Sequence, residues 1–137
     1  MTVKEFASLA KESRDEHQEQ VEVCKHLDKL KVLYYAIPNG GQRYKKTAFD
    51  LKKEGVKAGA PDLCICEPNK HYHGLYIEMK RRPKTLKSGK KSFAGISVSE
   101  SQTAFMQQLR DRGYQAIVCY GEDEAIAAIN DYFKEVK

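Results

Sequence analysis

Apolar residues recur along the chain at two spacings, the three-to-four-residue spacing of helices and the alternation of strands. Helical spacing begins with Val3, Phe6 and Ala10 and continues to Leu30, as one helix or two. The predicted order is helix, strand, short helix, β-hairpin, helix, strand and helix. The predicted strands cover about residues 32–37, 62–67, 74–81 and 116–120, and the later helices cover about residues 44–55 and 99–113 and the chain after residue 120.

This order predicts one α/β domain over residues 1–137, with a mixed central sheet flanked by helices. A chain of 137 residues, of which 41% are hydrophobic, has room for one compact core. The apolar run over residues 116–120 is typical of a central strand covered on both faces. Residues 82–98 are rich in Lys, Ser and Gly, which predicts a mobile basic loop.

The composition excludes several classes of protein. No apolar run approaches the roughly 18 residues of a membrane span, and the N-terminus lacks the apolar segment of a signal peptide, so we expect an intracellular, cytoplasmic protein without a membrane partner. Four cysteines lie in apolar or strand-like surroundings, which favours reduced, packed thiols over disulfides. They are Cys24, Cys64, Cys66 and Cys119.

Positive charge is unevenly distributed, although the net charge is only +5. Residues 80–91 contain seven basic residues and no acid, and residues 43–57 contain six basic residues and two acids. Such clusters suit a polyphosphate partner, while a solvated surface is the plainer interpretation of either run alone. The candidate DNA contacts are Arg43, Lys45, Lys46, Arg81, Arg82, Lys84 and Lys87.

The predicted hairpin carries the candidate chemistry. Successive side chains of a strand alternate faces, so Glu78 and Lys80 point the same way. If the hairpin pairs Asp62 with Glu78, their Cβ atoms lie roughly 5 Å apart and two carboxylates repel each other beside a lysine. A hard divalent ion such as Mg²⁺ removes that conflict by taking oxygen ligands from both.

A phosphodiesterase would give each of these three side chains a role. A divalent ion activates water for attack on the phosphate, and the lysine ammonium orients that water or offsets charge growing on the phosphate. An E-x-K pattern alone is a weak signal, because charged residues at this spacing are common on solvated strand faces. The Gly59-Ala60-Pro61-Asp62 segment one strand earlier strengthens it.

An acid on the first long helix is a fourth candidate. At 100° per residue, Glu16 falls almost in line with the apolar residues Val23 and Leu27. A carboxylate on a core-facing stripe needs a partner such as a metal or a lysine. Glu19, about 60° away, is the alternative ligand, and Glu16 can also be explained as an exposed acid at the helix start.

These motifs together resemble the VRR-NUC nucleases, a branch of the PD-(D/E)xK superfamily with a restriction-endonuclease-like fold. The resemblance extends over most of the chain and looks like the small free-standing members of phages and bacteria. The basic segment over residues 81–97 is longer than in compact members. The resemblance is carried by residues 16–20, 37–41, 54–62, 73–80, 99–102 and 113–120.

The resemblance implies a Mg²⁺- or Mn²⁺-dependent deoxyribonuclease. Its metal ligands would be Glu16, Asp62, Glu78 and the backbone carbonyl of Met79, with Lys80 as the catalytic lysine. Gln102 would lie near the site, although a capping box with Ser99 explains it equally well. The turn at Asn39, Gly40 and Gly41 would approach the DNA phosphate.

The same resemblance suggests a structure-specific endonuclease similar to Holliday-junction resolvases, acting on branched DNA as a homodimer. Val3, Phe6, Leu9 and Ala10 form a candidate apolar interface, unless that patch packs on its own domain. The alternatives are a general or flap-directed nuclease, an RNA-directed nuclease, and a non-catalytic DNA-binding module. A zinc module using Cys64, Cys66, His71 and His73 is a weaker alternative, because the ligand spacing is poor.

Overall fold

A computed structural model of the chain describes residues 1–38 and 47–135. The helices are α1 Val3–Lys11, α2 Glu16–Leu30, α3 Ala48–Lys53, α4 Glu100–Asp111 and α5 Glu122–Lys134. The strands are β1 Tyr34–Ala36, β2 Leu63–Ile65, β3 Leu75–Lys80, β4 Lys84–Thr85, β5 Lys91–Ser92 and β6 Gln115–Tyr120. This order confirms the predicted α/β class.

Four strands form the main sheet in the order β1-β2-β3-β6. The first three are antiparallel, whereas β6 runs parallel to β3, so the sheet is mixed as predicted. The prediction of a central position for β6 was wrong, because β6 is the last strand of this sheet. Its apolar run is explained by α4 and α5, which both pack against it.

The main core lies between the sheet and the helices α2 and α5. Val23 and Leu27 of α2 are fully buried, as are Ile77 of β3 and Ile129 of α5. Because side chains alternate along β3, these contacts leave Tyr76, Glu78 and Lys80 on the opposite face. The sheet therefore keeps one face for the core and presents its acidic residues on the other.

The N-terminal helical region is two helices. Asp15 caps α2 by accepting the Gln18 N–H at 2.8 Å, and the Gln18 side chain accepts the Asp15 N–H at 2.9 Å. This capping box starts a new helix at Glu16. No residue of α1 is buried, so its apolar side chains are not used by the main core.

Residues 82–98 contain more secondary structure than the sequence predicted. The strands β4 and β5 form a second, two-stranded antiparallel sheet within this segment. Gly89 has a φ of 86°, the left-handed conformation that a three-residue hairpin connection needs. Residues 84–92 thus form a short hairpin within the predicted basic loop, and the mobility of this segment stays a prediction.

Two predictions drawn from composition can be compared with the fold. All four cysteines are free thiols. Within the described residues, no helix is long and apolar enough to cross a membrane.

Candidate active site

The β2–β3 hairpin has the predicted register. Leu63 pairs with Ile77, which places Asp62 opposite Glu78. The Asp62 N–H donates to the Ile77 carbonyl at 3.0 Å, and the Met79 N–H donates to Asp62 Oδ2 at 2.7 Å. The Met79 N–H therefore holds the Asp62 carboxylate in place. That the Met79 carbonyl is a metal ligand stays a prediction.

Three carboxylates converge beside this hairpin. Glu16, Asp62 and Glu78 each offer an oxygen atom, and these atoms lie within 4.8 Å of one another. Glu78 is 3% exposed, Asp62 is half-buried and Glu16 is exposed. Oε1 of Glu78 is buried without a hydrogen-bond partner. A hard divalent cation fits this donor set, because it would supply the missing partner and neutralise the repelling charges.

Glu16, rather than Glu19, contributes the helix carboxylate to this cluster, but not for the predicted reason. Glu19 is the acid on the buried stripe of α2 and is fully buried. Arg82 neutralises it through two hydrogen bonds, Nε to Oε2 at 2.6 Å and Nη2 to Oε1 at 2.9 Å. Glu16 lies one turn earlier at the first position of α2, where it reaches the hairpin from the solvent side.

The electrostatics of the cluster disfavour three ionised carboxylates. Burial, followed by the neighbouring Asp62, raises the pKa of Glu78 to about 9. Partial desolvation of its carboxylate and the charge of Asp62 also raise the pKa of Glu16, although the residue is exposed, while Lys80 acts in the opposite direction. Proton and metal ion therefore compete for the same oxygen atoms.

The raised pKa of Glu78 predicts how the stability of the metal-free protein depends on pH. Because the folded-state pKa of Glu78 lies above its unfolded value, metal-free protein should lose stability as pH rises from about 4.5 towards about 9. We expect Glu78→Gln to raise the melting temperature in EDTA at pH 8 by on the order of 5 °C, with little effect near pH 4.5.

Differential scanning fluorimetry at several pH values measures this effect. Glu22→Gln, at a half-buried carboxylate of α2 that is paired with the exposed Lys25, is the matched control and should change little. Added Mg²⁺ should stabilise the wild type more than Asp62→Ala. A Glu78→Gln protein that is less stable than the wild type at pH 8 in EDTA would contradict the repulsion described here.

Lys80 completes the chemistry on the same strand face. Its Nζ donates to Gln102 Oε1 at 3.1 Å, and this oxygen also accepts the Ser99 N–H at 2.9 Å. Gln102 is therefore both the capping-box residue of α4 and the partner of Lys80, so the two interpretations of this residue are compatible. Gly59 permits this approach, because a Cβ there would lie 2.2 Å from the Ser101 carbonyl oxygen.

These residues line a cleft of about 590 Å³, which runs along the three carboxylates, Lys80 and Gln102. The opposite wall comes from α3 and the turn after it, and it includes Lys52 and Lys57. Both lysines are exposed, and no carboxylate of the described residues forms a salt bridge with either. Both belong to the basic segment over residues 43–57, but neither is among the predicted DNA contacts.

The predicted DNA contacts occupy different environments. Lys84 and Lys87 are exposed. Arg81 is half-buried and donates to the Ala94 carbonyl at 2.7 Å, and the Arg82 side chain is 13% exposed within its ion pairs with Glu19 and Asp123. Arg82 thus stabilises the fold. The remaining predicted contacts lie outside the described residues: Asn39, Gly40, Gly41, Arg43, Lys45 and Lys46.

The zinc alternative has no support in the part of the chain that the structure describes. There, the one cluster of three or more potential ligands is formed by the carboxylates, and it includes no cysteine or histidine. Cys64 and Cys66 lie with their Sγ atoms 3.8 Å apart on one face of the hairpin, as packed thiols.

Comparison with known proteins agrees with this geometry. The model of the VRR-NUC domain matches residues 10–123, a span that contains all five candidate catalytic residues. The chain belongs to the VRR-NUC domain family. A solved VRR-NUC domain protein has a similar structure, with a TM-score of 0.65 and 27% sequence identity over 88% of this chain and 89% of that chain. No curated protein sequence matches the chain.

VRR-NUC is a nuclease family, so the carboxylate cluster lies in a domain type associated with cleavage of nucleic acid. The match also confirms the predicted family and fold. The β2–β3 hairpin places Asp62, Glu78 and Lys80, while α2 adds Glu16 and α4 adds Gln102.

Proposed function

We propose that this VRR-NUC protein is a divalent-metal-dependent DNA endonuclease that hydrolyses phosphodiester bonds. The observation that carries the proposal is the cluster of Glu16, Asp62 and Glu78, with an unpartnered buried oxygen on Glu78 and Lys80 in the same cleft. A non-catalytic DNA-binding module has no use for a destabilising carboxylate cluster. A DNA substrate also implies an intracellular site of action.

The candidate catalytic residues of the cleft have distinct roles in this proposal. Glu16, Asp62 and Glu78 would hold Mg²⁺ or Mn²⁺, with the Met79 carbonyl as a further ligand. Such an ion, when bound by these residues, would supply the Lewis acidity that favours attack of water on the phosphate. Lys80, held at 3.1 Å by Gln102 Oε1, keeps a positive charge beside the phosphate, where negative charge grows as the new P–O bond forms and the bridging P–O bond breaks.

We further propose that the enzyme acts on branched DNA as a homodimer. The apolar face of α1 is exposed on its own domain, with Val3 86%, Phe6 66% and Leu9 42% exposed. A two-fold pair would present two active sites to the two-fold symmetry of a four-way junction. The enzyme would then nick opposed strands in the manner of a Holliday-junction resolvase.

Light scattering and junction cleavage test this second proposal. At micromolar concentration we expect a mass about twice the 15.6 kDa of one chain, and paired nicks on a four-way junction in preference to linear duplex. Phe6→Glu should give monomers and lose paired nicking. Leu33→Glu changes another exposed residue, on the loop before β1, and should leave the dimer intact.

A monomeric wild type that cuts linear and branched DNA equally would overturn the dimer proposal. It would favour a general nuclease, and preferential cutting of flapped DNA would favour a flap-directed one. Cleavage of RNA with DNA left intact would instead contradict the choice of DNA.

A further inference from the structure

The segment that follows Lys80 has a shape fixed by its own hydrogen bonds. Lys84 pairs with Ser92 and Thr85 with Lys91 across β4 and β5. The Leu86 N–H donates to the Lys90 carbonyl at 2.8 Å, and the Gly89 N–H returns to the Leu86 carbonyl at 2.9 Å. We call residues 84–92 the basic ribbon. It is a closed hairpin with a tight end.

The base of the basic ribbon is anchored to α1. Glu12, at the end of α1, is 9% exposed, and its carboxylate accepts hydrogen bonds from both the backbone N–H and the hydroxyl of Thr85, the latter at 2.8 Å. Lys91 Nζ lies 3.4 Å from the same carboxylate. These bonds to a buried anion are of the stronger, charge-assisted kind.

A second anchor lies just before the basic ribbon. Arg82 is held by Glu19 of α2 at 2.6 Å and by Asp123 of α5 at 3.1 Å. Glu12 thus ties the ribbon to α1, and Arg82 ties the segment just before it to α2 and α5. Three residues lie between Lys80 and Lys84, so the start of the ribbon lies within roughly 14 Å of the Cα of Lys80.

The rest of the ribbon faces solvent with uncompensated charge. Lys84, Lys87 and Lys90 are exposed, and no carboxylate of the described residues forms a salt bridge with any of them. Leu86 lies between them in sequence and is 50% exposed. Three free ammonium groups around an apolar side chain suit a polyanion with an apolar interior, which is the chemistry of DNA.

We propose that the basic ribbon is a preformed DNA-binding arm, in which Lys84, Lys87 and Lys90 bind phosphates while Leu86 packs into an unstacked base step. This inference rests on the proposed nuclease function, because it specifies the DNA that the same cleft receives. Opening a base step should cost less at a branch point, where strands change partners, than within a linear duplex, so Leu86 should favour branched over linear DNA. A mobile loop with the same lysines would lose more conformational entropy on binding.

Fluorescence anisotropy with a labelled four-way junction and a linear duplex of the same sequence tests the arm. All variants are made in the full chain carrying Lys80→Met, so that the DNA is not cut. Replacing Lys84, Lys87 and Lys90 with Gln should lower the slope of log Kd against log salt concentration by about 2 to 3. Leu86→Ala should weaken junction binding on the order of tenfold and linear duplex binding less than about twofold.

Two further variants separate the arm from general effects. Leu33→Ala changes an exposed leucine elsewhere and should bind as the parent protein does. Glu12→Gln should weaken junction binding but keep the salt dependence, because the three lysines remain while their anchor is weakened. Thermal melts of each variant establish that it is folded.

An unchanged salt dependence in the triple variant, or equal effects of Leu86→Ala on junction and linear DNA, would overturn the arm. A larger effect on RNA duplex than on DNA would overturn the choice of partner. Cleavage of the same two DNAs by the protein with Lys80 intact is measured in parallel. If that protein cuts neither DNA, the nuclease proposal fails; if it cuts but the ribbon variants bind normally, only the arm fails.

Discussion

Lys80→Met is expected to lower the rate of DNA cleavage by about 100- to 1,000-fold at saturating metal, which is the usual cost of removing one group that stabilises transition-state charge. Lys80 shares its strand face with Glu78, and its Nζ is held 3.1 Å from Gln102 Oε1. The substitution leaves all three carboxylates in place, so Mn²⁺ binding should be retained. Single-turnover cleavage and isothermal titration with Mn²⁺ measure the two effects separately.

Lys70→Met is the matched control, because Lys70 lies on the exposed loop at the other end of the β2–β3 hairpin. We expect this control to cut DNA at the wild-type rate. If Lys80→Met cuts DNA at a rate within about threefold of the wild-type rate, Lys80 has no part in the mechanism.

The second large effect concerns folding. Arg82→Met should destabilise the protein by about 3 to 5 kcal/mol, because it leaves Glu19 buried with a negative charge and weaker partners. The remaining partners are Arg14 at 3.4 Å and the Glu122 N–H at 3.3 Å. Burial is the largest single effect and raises the pKa of Glu19, but the hydrogen bonds and charge of Arg82, together with the bonds from the Glu122 N–H and Arg14, lower the pKa overall.

Urea denaturation at pH 7 measures this loss. The double variant Glu19→Leu with Arg82→Met should be more stable than Arg82→Met alone, since the uncompensated charge is gone. Arg112→Met, which removes an exposed arginine of the α4 end, should cost little. If the losses of unfolding free energy for Glu19→Leu and Arg82→Met simply add in the double variant, a buried ion pair between Glu19 and Arg82 would be contradicted.

The strand chemistry was predictable because it depends on local rules. Alternation along the strand predicted that Glu78 and Lys80 share one side of β3. The predicted pairing of Asp62 with Glu78 is the register that the hairpin has. The capping box of Ser99 and Gln102 was also legible in the sequence. Its second role, as the partner of Lys80, depends on how α4 packs against the turn at Gly59, and no local pattern specifies that contact.

Helix angles alone were a weaker guide. They marked Glu16 as the acid facing the core, whereas Glu19 is the buried one and Glu16 reaches the cluster from the solvent side. The helical wheel could not reveal Arg82, a residue 63 positions away that neutralises Glu19. For the same reason Arg82 looked like a surface DNA contact within a basic run.

The hairpin at residues 84–92 and the two lysines on the cleft wall were not predicted, because both segments were judged by their basic composition alone. The Lys87-Ser88-Gly89 sequence is typical of a three-residue hairpin connection with glycine in the left-handed position, and it could have predicted the ordered ribbon. From the sequence, Lys52 and Lys57 could be recognised only as members of a basic segment. Their place on the cleft wall depends on how α3 packs beside the hairpin.

Metal-dependent cleavage by the carboxylate cluster is the central claim, and a titration of EDTA-stripped protein with Mn²⁺ tests it most directly. The measurement follows cleavage of a labelled four-way junction by the wild type and by Asp62→Asn at equal concentration. We predict no cutting in EDTA, a saturable rise in rate with Mn²⁺ for the wild type, and a rate lower by at least about 100-fold for Asp62→Asn. Cutting in EDTA, or equal rates for the two proteins at saturating Mn²⁺, would contradict the claim.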